Sequence, residues 1–427
     1  MTIGLMLIGM IVLVFTGVPI AVSLGIVAVA AMIATKGLYT LPNMPLTMFS
    51  STASFPLLAV PLFMLAGAIM NSSGISRRLI NFASAIVGFI RGGLAMVTTV
   101  SSMFFAEMSG SAVADVAALG SILIPAMQQK GYPKKFAAAV VSSSATLAVI
   151  IPPSIPMVLI AVQANCSVVK LFLAGVVPGI IGGLLMMVVS YVFAVRYKYP
   201  VEEAFRLRRV WVTFKDAIWA FSLPVIILGG IFSGFVTATE AAGLAVVSAA
   251  FIGFVIYREM DWGHLRKAII DGASTTGVVQ LLLATSALAG GILTELQIPQ
   301  SLAQFITSIT TDRYMVLAIL NVFFLILGCF LQSAAAIILV VPIVMPLVTA
   351  VGIDPLHFGI IVTLNLGIGQ QTPPVASVLI AACAVARADI WEVSKINIYY
   401  IASSFTVLML STYIDAVPLF LVRLFYG

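Results

Sequence analysis

The sequence predicts an all-α membrane protein built as two inverted repeats, with about ten transmembrane helices, two re-entrant helical hairpins and two broken helices. Three observations lead there. The first is composition: of 427 residues, 62% are hydrophobic and 8% charged, against roughly 25% charged in a soluble domain. Most of the chain lies in apolar runs suited to a bilayer, which needs about 20 residues per helix. The second is a pair of interruptions. A small polar tip, Met108-Ser109-Gly110-Ser111-Ala112, separates two apolar runs, and further on Ile151-Pro152-Pro153-Ser154 breaks another run in its middle. The third is that this design recurs about 222 positions later, at Gln332-Ser333-Ala334 and Thr372-Pro373-Pro374-Val375. Backbone broken at membrane depth is tolerated only where protein or a water-filled cavity covers it. Two such breaks, in corresponding positions of two halves, mark the binding site of a secondary transporter.

Composition also excludes. The net charge of +6 raises nucleic acid as a partner, but the Lys and Arg are scattered through short loops, where they orient a chain in a lipid bilayer. No nucleic-acid interface is expected. Three cysteines, Cys166, Cys329 and Cys383, form neither a disulfide framework nor a metal-ligand spacing and read as small packing residues. Met1-Thr2-Ile3 lacks a charged n-region and a cleavage site, so it reads as the start of a membrane helix.

In chain order, apolar runs at 3–15 and 19–35 are split at Thr16-Gly17-Val18-Pro19, and 37–53 is expected to be a loop. A run at 55–70 ends in the turn Asn71-Ser72-Ser73-Gly74. Segment 76–90 gathers Arg77, Arg78, Asn81 and Ser84 on a partly polar face, which suits a helix lying in the membrane interface. Hairpin 1 covers 92–128, a broken helix 136–163 and a long helix 169–195, which closes the first repeat at 1–195. The polar stretch 196–216, with six Lys/Arg and three Asp/Glu, is the linker. The second repeat, 217–427, has runs at 217–235 and 239–257, a polar segment at 258–273 and a span at 275–294. An amphipathic stretch at 299–312 leads to hairpin 2 at 315–350, the broken helix 357–386 and a final span at 396–424.

The halves align without gaps of consequence. Thr16 pairs with Thr237, Ile75 with Ile298, Ser111 with Ser333, Pro133 with Pro355 and Pro152 with Pro373, all separated by 221 to 223 positions. Five ordered matches at one offset indicate internal duplication. Charge gives the sidedness. Arg77, Arg78, Arg91, Lys130, Lys134 and Lys135 flank hairpin 1, which should therefore enter from the cytoplasm, the side of the linker and of Arg258, Arg266 and Lys267. Glu295, Asp312 and Asp354 flank hairpin 2 with a lone Arg313, which places it on the periplasmic side. The repeats are thus inverted, with ten crossings, both termini periplasmic and the chain in a bacterial inner membrane.

A helix stopping in mid-membrane leaves up to four N–H and four C=O groups unpaired. Helix N-termini suit a carboxylate, and freed carbonyls suit Na⁺. One Na⁺ site is expected at the first tip, from Ser109, Ser111, Ser144 and Thr146, and a second at the other tip, from Ser333, Asn365, Gly367, Gly369 and Thr372. Ser144 and Asn365 stand at equivalent positions, eight residues before the first Pro of each pair. Ser111, Ser154, Gln332, Ser333, Gln370 and Gln371 are the candidates to hold an organic acid. No Arg or Lys lies in either tip or break, so recognition should rest on dipoles and neutral donors. Glu107 and Asp115 flank the first tip in supporting positions, and Glu240, after Thr237-Ala238-Thr239, supports or caps a helix start.

Met108 through Asp115, Ile124-Pro125, Gly131-Tyr132-Pro133 and Ile151-Pro152-Pro153-Ser154, with Thr237-Ala238-Thr239-Glu240 and Gly369 through Val375, resemble the large membrane subunit of tripartite ATP-independent periplasmic (TRAP) transporters. The resemblance covers essentially the whole chain. It implies a Na⁺-driven importer of organic acids, Na⁺ being the co-transported ion. It also implies an elevator mechanism, a small membrane subunit of Q type and a periplasmic substrate-binding protein of P type as partners. Gln332 stands where many dicarboxylate-carrying relatives have Asp, and Ala376 where they often have Gly, so the resemblance leans to the sialic-acid branch over C4-dicarboxylate.

A single-component Na⁺/anion symporter shares the inverted hairpins and is the alternative; it transports without a binding protein. A channel calls for pore-lining rings. An intramembrane enzyme calls for a nucleophile with a base, and the two histidines, His264 and His357, are expected in or beside loops far from the tips. The sidedness is testable by impermeant labelling of intact cells. Thr2→Cys should be labelled and Glu203→Cys protected; the reverse pattern overturns the topology.

Overall fold

A helix that breaks inside a bilayer must hand its freed backbone groups to something else, and both halves of this chain do so at corresponding places. The computed structural model describes residues 6, 8–10, 12–13, 16–202 and 204–427, and for 107–109 the backbone alone. The described residues contain helices and turns and no strand.

The first repeat comprises α1 (Ile20–Lys36), α2 (Asn43–Thr52), α3 (Ala59–Ser72), α4 (Ile75–Val87), the hairpin arms α5 (Gly93–Ser109) and α6 (Ala112–Gln129), the broken-helix halves α7 (Lys134–Ala145) and α8 (Ile155–Gln163), and α9 (Val168–Arg196). The second comprises α10 (Leu207–Phe232), α11 (Ala238–Ile256), α12 (Trp262–Glu295), α13 (Ile298–Ile309), the arms α14 (Arg313–Phe330) and α15 (Ser333–Ala350), the halves α16 (Pro355–Gly369) and α17 (Ser377–Ala386), then α18 (Ile390–Tyr413) and α19 (Ala416–Tyr426). Nine helices among the described residues are long and apolar enough to cross a membrane. The apolar run 3–15 falls largely outside the described residues.

Four expected segments differ. The 37–53 stretch is not a loop throughout, since α2 occupies Asn43–Thr52. Its hydroxyls fold back on their own helix, Thr47 Oγ1 donating to Asn43 O at 3.1 Å and Ser51 Oγ to Met48 O at 2.9 Å, so a polar composition is compatible with helix. The polar segment 258–273 is no separate element either. Asp261 caps His264 N at 2.7 Å, and α12 then runs unbroken for 34 residues into the span. In the linker, helix α9 ends at Arg196 and helix α10 already begins at Leu207, so the polar stretch is partly helical. The final span 396–424 is two helices that part at Ile414-Asp415.

The contacts reflect the duplication. Helices α3, α11 and α12 pack together with α1 against α12, and α4 lies along α10. Around the breaks the repeats interlock: α7 packs on α17 and α18 of the other repeat, and α8 packs on α15. Outward faces carry apolar side chains, such as Val188, Val192, Val247, Val322 and Ile326, all more than half exposed and suited to lipid. Ion pairs join charges that the topology puts on one side: Arg77 to Glu259 at 2.7 Å, Arg78 to Asp216 at 3.2 Å, and Lys135 to Glu392 at 2.8 Å. On the other side Lys36 meets Glu295 at 2.6 Å.

Lipid supplies little hydrophobic drive for helix association, so close approach and hydrogen bonds must do the work. A close backbone approach lies between α14 and α16, where a Cβ added to Gly369 would sit 2.5 Å from Gly328 Cα. Gly369→Ala should therefore destabilise the protein by about 1–3 kcal/mol, as overpacking does. Gly290→Ala, whose Cβ meets nothing within 4 Å, should be neutral. Equal thermal midpoints for the two variants in detergent would contradict this packing.

Candidate functional site

Each tip sits on the break of its own repeat. At the first, Gly110 turns the chain with φ +59°, and a Cβ there would lie 3.1 Å from Ile155 N and 3.2 Å from Pro153 O. Only glycine allows both the left-handed conformation and that proximity. The N-terminus of α6, which follows the tip, thereby meets the N-terminus of α8, which follows the break. Two converging helix N-termini make an environment favourable to an anion. At the second tip, Val375 N donates to Cys329 O at 3.2 Å and Val378 N to Gln370 O at 3.2 Å, so the extended Pro-Pro segment docks onto the end of α14. Both breaks contain a cis peptide bond, Pro152–Pro153 and Pro373–Pro374.

Neutral polar side chains tie the two breaks to each other. Gln371 Nε2 donates to Thr146 Oγ1 at 2.7 Å, and Thr146 Oγ1 donates on to Ser143 O at 2.7 Å. Asn397, on α18, accepts from Ser143 Oγ at 2.6 Å and donates to Gln371 O at 3.1 Å. All four side chains are buried. A second layer repeats with the duplication. Thr99 and Ser144 share a hydrogen bond of 3.1 Å in the first repeat, and Asn365 Nδ2 donates to Asn321 Oδ1 at 2.7 Å in the second. Asn321 in turn donates to Thr412 Oγ1 at 3.1 Å.

Most of the expected residues come together here, in unequal roles. Ser144, Thr146, Asn365 and Gln371 form the buried network, and Gly367 faces Thr146 O, 4.0 Å from where a Cβ would be. Gln370 Nε2 donates to Ser333 Oγ at the second tip. Ser154 Oγ donates to Val149 O at 2.6 Å, and Thr372 Oγ1 to Ile368 O at 2.9 Å, each closing the break on itself. Ser111 and Gln332 occupy the helix-start positions of α6 and α15, and each borders a cavity. Asp115 is buried on α6. The side chains of Glu107 and Ser109 lie outside the described residues. Glu240 is exposed and belongs to a helix cap: its Oε2 accepts from Thr237 N and Thr237 Oγ1, both at 2.8 Å.

Two buried amide oxygens, Asn365 Oδ1 and Gln371 Oε1, have no hydrogen-bond donor among the described residues. A buried acceptor without a donor is costly, and a hard oxygen in this state suits an alkali cation. No group of three or more His, Cys, Asp or Glu side chains among the described residues is arranged for a transition metal.

Sequence reasoning missed Thr99, Asn321 and Asn397. The first two carried a legible signal, since they are polar, sit within apolar runs and are 222 positions apart. Asn397 carried none, because its partners lie on both repeats. Nor is His264 far from the tips as expected: it lines the same cavity of about 500 Å³ as Ser111, because α12 begins in the polar segment and its first turns border that cavity.

Comparison with known proteins agrees with this architecture. The chain resembles, at 15% identity and a TM-score of 0.62 over 91% of its length and 89% of the other's, the crystal structure of the Alcanivorax borkumensis YdaH transporter, which supports the fold. It is 41% identical over 88% of each chain to the C4-dicarboxylate TRAP transporter large permease protein DctM of Pseudomonas aeruginosa, and 36% identical over 97% of each to the sialic acid TRAP transporter large permease protein SiaM of Vibrio cholerae. The isethionate TRAP transporter permease protein DctMQ of Oleidesulfovibrio alaskensis is 41% identical over 95% of this chain, which spans 64% of that protein's length. Residues 7–417 match the family model "Tripartite ATP-independent periplasmic transporter, DctM component", and the chain belongs to that family.

Proposed function

We propose that this chain is the membrane permease subunit of a TRAP transporter that imports an organic acid by Na⁺ symport, receiving it from a periplasmic binding protein and working with a small membrane subunit. The observation that carries the reading is the pair of buried oxygens without a donor among the described residues, Asn365 Oδ1 and Gln371 Oε1, both at the second break, which neutral hydrogen bonds hold to the first. The first Na⁺ takes oxygens around Ser109, Ser111, Ser144 and Thr146, and the second takes those around Ser333, Asn365, Gly367, Gly369 and Thr372, many from backbone carbonyls. The acid's anionic group sits between the tips at the converging helix N-termini. The interlocked hairpins and broken helices move as one body against α1, α3, α4 and α10–α12, which is the elevator arrangement. With the basic loops inside, the chain spans a bacterial inner membrane with both termini in the periplasm.

The substrate is a small organic acid. Named relatives at similar identity carry C4-dicarboxylate, isethionate and sialic acid, so their identities do not favour the acidic sugar to which Gln332 and Ala376 pointed. Those two residues do border one cavity at the second tip, which makes them the positions where cargo selectivity should change.

Reconstituted protein with its partner subunits should take up one of succinate, isethionate or sialic acid under a Na⁺ gradient. Uptake indifferent to replacing Na⁺ with K⁺ would exclude symport. Removing one hydrogen-bonding or cation-binding oxygen costs about 1–3 kcal/mol, or roughly tenfold to a hundredfold in affinity. Asn365→Ala should therefore raise the half-maximal Na⁺ concentration by about tenfold or more, and Ser111→Ala should impair uptake with folding intact. Wild-type Na⁺ activation in Asn365→Ala, at normal expression, would place the ion elsewhere.

A further inference from the structure

The cavity of about 500 Å³ beside the first tip has two walls of different kinds. One is hairpin 1, through Ser111 and the first turns of α6. The other belongs to helices outside the interlocked body: Asn71 and Ser72 at the end of α3, and His264, Lys267 and Asp271 along the start of α12. Lys267, exposed, makes no ion pair among the described residues, whereas Arg77 and Arg78 pair with Glu259. His264 is paired with Asp261 at 3.1 Å. An exposed ammonium group thus shares a cavity with Ser111 of the tip.

Duplication supplies an internal control. At an offset of 222 the counterparts of His264, Lys267 and Asp271 are Pro42, Pro45 and Phe49, and that of Asn71 is Leu293. A separate cavity beside the second tip, bordered by α1, α12 and hairpin 2, is lined by apolar groups with Gln332 and Ser377. The polar and charged wall is therefore not a packing feature that the fold requires at this position. It occurs only at the tip that the topology directs to the cytoplasm.

We infer that Lys267, assisted by Asn71 and Ser72, forms an anion-attracting exit site on the fixed part of the transporter, distinct from the neutral site between the tips. Resting on the organic-acid reading, it receives the carboxylate or sulfonate as cargo leaves Ser111. An ammonium in a water-filled cavity attracts without trapping, since exposed charge pairs contribute about 0–1 kcal/mol and are screened by salt. Asp271, one turn along α12, keeps the wall close to neutral and opposes a lasting hold.

The test uses reconstituted permease with its partners, in a preparation whose wild type transports one of succinate, isethionate or sialic acid, so that failure here is separate from failure of the transport reading. Lys267→Glu should slow transport about fivefold or more at low ionic strength and lose most of that defect at high salt, while Lys267→Arg stays within twofold of wild type. With Cys166, Cys329 and Cys383 replaced, Lys267→Cys should be slow and be restored by 2-aminoethyl methanethiosulfonate, which returns a positive charge, but not by the negatively charged sulfonatoethyl reagent. Half-maximal Na⁺ should be unchanged throughout. Wild-type transport in Lys267→Glu at low salt overturns the proposal, as does a defect that salt and charge restoration leave untouched.

Discussion

The structure depends on one constraint: polar groups released by broken helices in a membrane must find partners within the protein. Here the partners are drawn from opposite repeats. Gln371 reaches from the second break to Thr146 in the first, and Asn397 joins Gln371 O to Ser143 Oγ. Each break closes partly on itself, through Ser154 to Val149 O and Thr372 to Ile368 O, and is completed by these bonds to the other repeat. The interlocking of α7 with α17 and α18 follows from the same need.

Inverted duplication supplies equivalent scaffolds, and divergence fills them differently. Thr99 with Ser144 and Asn321 with Asn365 are the same pair of positions twice. In the first repeat hydroxyls satisfy one another. In the second, the longer amides reach further and leave Asn365 Oδ1 without a donor. Substitution at one pair of positions thus changes a closed pair of hydroxyls into an amide pair with an acceptor to spare among the described residues. The helix α12 illustrates the same point on a larger scale, since its first-repeat equivalent is divided into α2 and α3.

A carrier must bind its cargo and then let it go. The space around the breaks contains hydroxyls, amides, carbonyls and helix ends; Asp115 is buried on α6, while the Lys135–Glu392 pair is exposed. Neutral donors hold an anion through several modest contacts, each of which can be exchanged for water, whereas a buried Arg–carboxylate pair would be slow to dissociate. A basic group, Lys267, lines the cavity that Ser111 borders, from another helix.

The sequence by itself determined the class, the helices and the places where they break. Apolar run length follows from bilayer thickness, and Gly110, Pro152 and Pro373 act locally through backbone conformation, so each was legible without a fold. The duplication also revealed which residues correspond, as Ser144 does with Asn365. Tertiary structure decided which groups meet. Asn397 became part of the site because α18 crosses both breaks, and Lys267 and His264 came beside Ser111 because a polar segment continued as helix. Ser154, by contrast, spends its hydroxyl on Val149 O. Local chemistry dictates where a helix ends; only the packing of distant helices dictates what its loose ends face.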